Sequence, residues 1–364
     1  MDTITHAIVG ATLARATATR APNKTRLSVK ARVLTGGLAA AFPDIDFFTL
    51  WINPLHFISD WHRAETHSLI MLPVWALLLG VLLSFITKNK HHRKEFILIC
   101  GIGIFSHILT DLITSWGTRI FAPFSDYQTS WNLTFIIDPW FTLIILTGLL
   151  VALFRNSHLA ARAGIILLAS YIGLQGLLKS QAQAIGEHFV ETKGWQTTSV
   201  NTIPQPFSPF YWKIIVSKPE IYYMAYIDLL ADDSKPLPDK SQTGLLHIVY
   251  YYRPKNQLSW SQYSRYGADS LVRSVWLQPA LEPYRRFATY PALYRIDKTT
   301  TDNCVWFMDL RFVMPQRITP FRYGMCKLKD ERQWKLYRLK RGQGKEKERI
   351  PEFIFQAGNR FKRD

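Results

Sequence analysis

The sequence predicts an α-helical polytopic membrane domain of about five or six membrane helices over residues 1–180, followed by a mainly β or α+β soluble domain over residues 181–364. Three observations predict it. Apolar runs of about 20 residues, the length that crosses a hydrocarbon core, are confined to the first half. The second half alternates short aromatic and β-branched runs with turn residues, which is the pattern of strands. The formal net charge of +17 is placed between the apolar runs and throughout the second half, never within the most apolar segments.

Residues 2–19 read as a helix carrying Ile4, Ile8, Val9 and Leu13 among small residues. It is weakly apolar and can sit in a membrane only when packed on other helices. A basic stretch at 20–32 holds Arg20, Lys24, Arg26, Lys30 and Arg32, and the apolar run 33–52 is interrupted by Pro43-Asp44-Ile45-Asp46. The clearest span is 68–87, followed by a basic loop at 88–94 and a second span at 96–115 that contains His107 and Asp111. Residues 116–137 form a loop with Pro123, a third span at 138–154 opens on Asp138-Pro139, and a loop with Arg155 and Arg162 leads to a fourth span at 163–178. A helix at 182–193 joins this part to the second domain, where strands are expected at 247–252, 305–312, 321–328 and 334–339. The charged stretch from Lys340 onward reads as solvated, and no internal repeat is evident.

The basic loops at 20–32, 88–94 and 155–162 all fall on one side under alternating crossings. Positive loops mark the cytoplasm, so the N-terminus, 53–67, 116–137 and everything after 180 face outward, into the periplasm of a bacterium. The start, with Asp2 and His6 and no basic stretch before its apolar residues, does not read as a cleavable signal peptide. Cys304 and Cys326 can pair in an oxidising compartment, Cys100 lies in an apolar run, and no cysteine pair has zinc spacing. A metal site would therefore use His, Asp and Glu. The basic excess suits anionic partners such as lipid headgroups or phosphoesters. Nucleic acid is disfavoured, because zinc-finger spacing, an RNA-recognition signature and a basic-region heptad are all absent from the sequence.

Placed by depth, the polar residues of the first half fall at one level. His6, Asp44, Asp46, His62, His67, His107, Asp111 and Asp138 all belong to the outward ends of their segments or to the outward loop. His107 and Asp111, four apart, share a helix face, and titratable residues inside a span point to function. The segment His62-Arg63-Ala64-Glu65-Thr66-His67-Ser68 adds two histidines, an arginine and a glutamate before an apolar run. Its bland reading is a helix cap through Thr66 and Ser68. For His107 and Asp111 the bland reading is an interhelical hydrogen bond, and for Asp44 or Asp46 a helix-end turn. Imidazole with carboxylate suits zinc, with manganese and iron also compatible. Arg63 is a candidate grip for a substrate phosphate or carboxylate. Glu65 is a candidate base, or an exposed loop residue.

The motifs Asp2-x-x-Thr5-His6, Pro43-Asp44-x-Asp46, His62-Arg63-x-x-Thr66-His67-Ser68, Ser106-His107-x-x-x-Asp111 and Ile137-Asp138-Pro139 occur in this order, with Pro123-Phe124-Ser125 ahead of the last. The set resembles the YdjM-like family of bacterial inner-membrane proteins, described as membrane-bound metal-dependent hydrolases, over roughly residues 1–180. Ala64 stands where that family often has glycine. The resemblance implies metal-site roles for His6, Asp44, Asp46, His62, His67, His107 and Asp111, with Asp138 as a supporting partner, and assigns nothing to the second domain.

The expectation is a metal-dependent hydrolase of the inner membrane, acting with a divalent metal, zinc by preference, on a lipid or envelope ester or phosphoester at the outward face. The rival is a non-catalytic membrane protein whose cluster is a structural metal clamp or a proton or ion relay, with an outer domain that binds lipid or a partner.

Overall fold

The computed structural model describes residues 1–18, 26–196, 198–232, 250–266, 269–329, 331, 333–340 and 346–351. The first half is helical and the region from residue 199 is rich in β-sheet, as the composition predicts. Helices α1 (Thr3–Ala16), α2 (Val29–Ala41), α3 (Pro54–His56), α4 (Leu72–Ile86), α5 (Arg93–Leu112), α6 (Pro139–Phe154) and α7 (His158–Thr192) follow in order. Among the described residues three helical stretches are long and apolar enough to cross a membrane: Val29–Trp51, Lys90–Leu112 and His158–Thr192. A fourth arises if Pro54–His67 and Leu72–Ile86, bent by 70°, count as one broken span.

The apolar helices present many large apolar side chains outward. Leu78, Phe85 and Ile86 on α4, Leu98 on α5, Phe154 on α6 and Ile166 and Leu177 on α7 are all exposed. A contiguous apolar surface of this kind belongs against lipid rather than water. Between the helices the residues are small. A Cβ on Gly10 would lie 2.3 Å from the Gly36 carbonyl oxygen, and one on Gly36 would lie 2.5 Å from that of Gly10. One on Gly103 would meet Ala39 at 2.8 Å. Such contacts let backbones approach closely, and here they draw α1, α2 and α5 together along the faces that end at His6, Asp44 and His107.

Two expectations are adjusted. The run at 68–87 becomes helical only at Leu72. Ser68 Oγ first donates to the Ala122 carbonyl at 2.6 Å and accepts from the amides of Ile70 and Met71 at 3.1 and 3.4 Å, forming the turn that leads into α4. The span at 163–178 and the joining helix at 182–193 are one helix of 35 residues. The residues that follow Leu178 are Lys, Ser, Gln and Ala, mostly good helix formers, so loss of hydropathy there does not end the helix.

The chain divides into two compact units. The first comprises Met1–Phe47, Trp61–Lys218 and Tyr223–Gln262. The second comprises Phe48–Asp60, Pro219–Tyr222 and Tyr263–Asp364. Strands β1 (Ser199–Pro204), β2 (Tyr211–Ser217), β3 (Ile221–Asp228) and β4 (Ser261–Ser264) form a sheet in that order. Leu178 and Ala182 of α7 pack into a core with Trp212, Ile214 and Ile227, so the end of the long helix is continuous with this sheet. β2 buries Trp212 to Val216 without alternation, which hides it from a search for period two.

The second sheet is an antiparallel meander, β5 (Pro291–Lys298), β6 (Asp302–Asp309), β7 (Tyr323–Leu328), β8 (Lys335–Leu339) and β9 (Lys347–Arg349). β6, β7 and β8 match the predicted strands to within a few residues. Cys304 and Cys326 are directly opposite on β6 and β7 and form a disulfide. The charged stretch from Lys340, expected to be solvated, contributes β9, whose Glu348 accepts from Arg338 Nε at 2.9 Å across the strand pair; opposite charges facing each other stabilise such a pairing. Of the strand expected at 247–252, residues 247–249 lie outside the described residues and 250–252 are in a turn.

Candidate metal centre

Four histidines and two aspartates from separated parts of the chain bring their ligand atoms together. His6 comes from α1, Asp44 from the 3-10 segment after α2, His62 and His67 from the loop before α4, and His107 and Asp111 from one face of α5. Three sets have mutually close ligand atoms: His6, Asp44 and His107; Asp44, His62 and His67; and His67, His107 and Asp111. His6, His67, His107 and Asp111 are fully buried at 0% exposure, while Asp44 and His62 are 8% exposed.

The local sequence explains the placement. Asp2 caps α1 by accepting from the Thr5 amide at 3.0 Å and the Thr5 hydroxyl at 2.7 Å, which fixes the first turn and with it His6. Pro43 turns the chain into a 3-10 helix in which Asp44 and Asp46 are buried while Ile45 and Phe47 face outward. In the loop at 62–68 the left-handed residue is Arg63, with φ of 59°. Ala64 has φ of −105° and so needs no glycine.

The hydrogen bonds fix which nitrogen of each ring faces inward. His6 Nδ1 lies 2.9 Å from the Thr110 hydroxyl, whose own proton goes to the Ser106 carbonyl at 2.8 Å. Thr110 therefore accepts, and His6 carries its proton on Nδ1. His107 Nδ1 donates to the Ala40 carbonyl at 2.6 Å. Thr66 donates to Asp46 Oδ2 at 3.2 Å and so accepts from His67 Nδ1 at 2.9 Å. His62 Nδ1 donates to Asp46 Oδ1 at 2.9 Å. Every ring is held at Nδ1 by an oxygen, an arrangement typical of metal-bound histidine, and Nε2 of His6, His67 and His107 is left with a lone pair.

Those lone pairs face other acceptors. His67 Nε2 and His107 Nε2 are 2.9 Å apart. Asp111 Oδ2 sits 3.4 Å from the first and 3.5 Å from the second. Asp44 Oδ1 is 3.7 Å from both. Among the described residues His6 Nε2, 3.2 Å from Asp111 Oδ1, has no hydrogen-bond partner, and neither has Asp111 Oδ2. Each buried acceptor left without a donor costs about 1–3 kcal/mol. A divalent cation among them removes that cost, and the imidazole and carboxylate donor set fits zinc, with manganese and iron also compatible.

The other candidate residues take different places. Asp46 belongs to none of the three ligand sets; it also accepts from the Arg63 amide at 3.1 Å and acts as the common anchor for His62, Thr66 and His67. Arg63 pairs with Asp111 Oδ1 at 2.7 Å and donates to Thr114 Oγ1 at 2.9 Å, so its guanidinium faces a cluster carboxylate. The Met1 amine also donates to Asp111 Oδ1. Glu65 has an exposed side chain, and its carbonyl accepts from Trp75 Nε1 at 3.0 Å. Asp138 caps α6 through the amides of Trp140 and Phe141, and accepts from Thr134 at 2.8 Å and from Tyr171 at 2.8 Å. None of those partners belongs to the three candidate ligand sets.

Sequence reading missed Thr3, whose hydroxyl donates to Asp44 Oδ2 at 2.5 Å, as well as Thr110 and the Ala40 carbonyl. Thr110 carries a faint signal, lying three residues after His107 on α5. A backbone carbonyl carries none.

The family model described as YdjM inner membrane protein matches residues 1–182, half of the chain's 364. Comparison with curated proteins and with solved structures finds no match.

Proposed function

The chain belongs to the YdjM inner membrane protein family, and from that premise we propose that it is a membrane-bound metal-dependent hydrolase. The observation that carries this reading is the pair of imidazole Nε2 atoms 2.9 Å apart, both with Nδ1 engaged elsewhere, facing the donorless Asp111 Oδ2. A divalent metal there, zinc by its donor set, supplies Lewis acidity and lowers the pKa of a water toward about 7.

The protein's own residues do the rest by positioning. Asp46 orients His62 and His67 together, so one carboxylate sets two rings. Arg63 balances the charge of the fully buried Asp111. His62, Asp44 and Asp46 form the less buried side of the cluster, with the Phe47 and Trp116 rings 4.7 and 5.4 Å from the His62 ring. An aromatic approach of this kind suits an amphiphile, so the substrate class is an ester or phosphoester of a lipid or other envelope molecule.

In the accompanying topology the chain crosses the inner membrane about five or six times, with α1 and α6 packed among the longer helices. The basic loops lie in the cytoplasm and the β-rich region in the periplasm. The Cys304–Cys326 disulfide supports that side, since such bonds persist in oxidising compartments.

The same 2.9 Å spacing also suits one proton shared between His67 and His107, which favours a relay as the second reading. Elemental analysis of the detergent-purified chain separates the two. Stoichiometric divalent metal, lost in His67→Ala together with ester or phosphoester hydrolysis, is the expected result; wild-type protein without metal overturns the hydrolase reading.

A further inference from the structure

We infer that the cluster is built for two divalent cations, each held by two histidines, with Asp44 shared between them; this rests on the metal-centre reading above. Two of the three ligand sets divide the histidines into pairs, and the third, His67, His107 and Asp111, spans the division. His6 and His107 are stacked, with ring centroids 3.6 Å apart, and their ligand atoms group with Asp44. His62 and His67 meet edge to face at 5.6 Å, and theirs also group with Asp44. The two sets share no histidine. They share one carboxylate, Asp44, whose Oδ1 faces both pairs with more than one lone pair while Oδ2 accepts from Thr3.

The carboxylates straddle the division. Asp44 Oδ1 is 3.7 Å from His107 of one pair and 3.7 Å from His67 of the other. Asp111 Oδ2 is 3.5 Å from His107 and 3.4 Å from His67. Both therefore sit evenly between the pairs, as a bridging group must.

A single ion leaves too much over. Zinc takes four ligands, and the four nearest atoms are those of His67, His107, Asp44 and Asp111. That choice leaves the fully buried His6 Nε2, its lone pair fixed by Thr110, 3.2 Å from a carboxylate oxygen with no donor between them. Two ions use all six residues and give each ion the same two-imidazole complement. Paired ions are the form in which hydrolytic sites clamp both the attacking and the leaving oxygen of a phosphoester or ester.

The test uses the full chain in detergent, stripped with chelator and reloaded with Mn²⁺ alone. Wild type should bind two Mn²⁺ per chain and give an exchange-coupled electron paramagnetic resonance spectrum. His6→Ala and His62→Ala should each hold one ion and give the six-line spectrum of isolated Mn²⁺. One uncoupled ion per wild-type chain overturns the two-ion inference and leaves the metal-centre reading standing. No bound ion overturns both. The wild-type measurement decides the matter even where a variant fails to fold.

Discussion

Asp111 and Asp138 are both buried carboxylates of the helical region, and both lie where apolar helices end or begin. Their surroundings are opposite in kind. Asp138 is met by donors: two amides, the Thr134 and Tyr171 hydroxyls and, at 3.5 Å, Gln175. Asp111 has cationic partners on Oδ1, but its Oδ2 faces the lone pairs of two histidines. A carboxylate supplied with donors is complete as it stands and serves architecture. One that faces acceptors is complete only with a cation. The type of partner, and not burial, distinguishes the two.

The comparison predicts unequal consequences. Asp111→Asn should strand the buried Arg63 and abolish metal binding, costing about 3–5 kcal/mol of stability; chelator should lower the melting temperature of wild type and leave that of the variant unmoved. Retention of metal by this variant would break the contrast. Asp46→Ala removes the acceptor that holds His62 directly and His67 through Thr66, and should weaken metal affinity about 10–100-fold without preventing binding, as read by competition with a chromophoric chelator.

Asp138→Ala should do the reverse, lowering stability by about 1–2 kcal/mol through loss of the α6 cap with metal content unchanged; a loss of metal here would erase the distinction. A third carboxylate sharpens it further. Asp302 accepts from the Lys347 ammonium, which holds its carboxyl below the usual range. A depressed pKa contributes stability that is present above the ordinary value of about 3.9 and lost as pH falls through the lowered one. Lys347→Met should therefore flatten the acid side of the stability profile below about pH 4, by less than about 1 kcal/mol. Glu65→Gln, at an exposed position, should change stability by no more than about 0.5 kcal/mol and leave metal content as it is.

The site was legible in the sequence because polar residues in apolar segments are conspicuous. Depth alone brought His6, Asp44, His62, His67, His107 and Asp111 to one level, and they do converge. Depth could not separate Asp138 from them, because residues at one level of a bundle need not touch. The ring anchors were hidden for a different reason. A threonine on an apolar helix, such as Thr110, is ordinary composition, and the Ala40 carbonyl has no sequence signal. In the β-rich region the strands from 302 to 339 showed their pattern. β2 did not, since it is buried on both faces, and β9 did not, since its partners are charges across a strand rather than an apolar face.

The unbroken α7 acts as a ruler. From Gly164, just past Arg162, to Leu178 it rises about 21 Å at about 1.5 Å per residue. Tyr171 and Gln175, the side chains that fasten it to Asp138, lie just before that mark, and Leu178 and Ala182, where the first sheet takes hold, lie at and beyond it. The distance from these fastening residues to the sheet is thereby set by a count of residues, and inserting a single turn between Gln175 and Leu178 would lengthen it by about 5.4 Å.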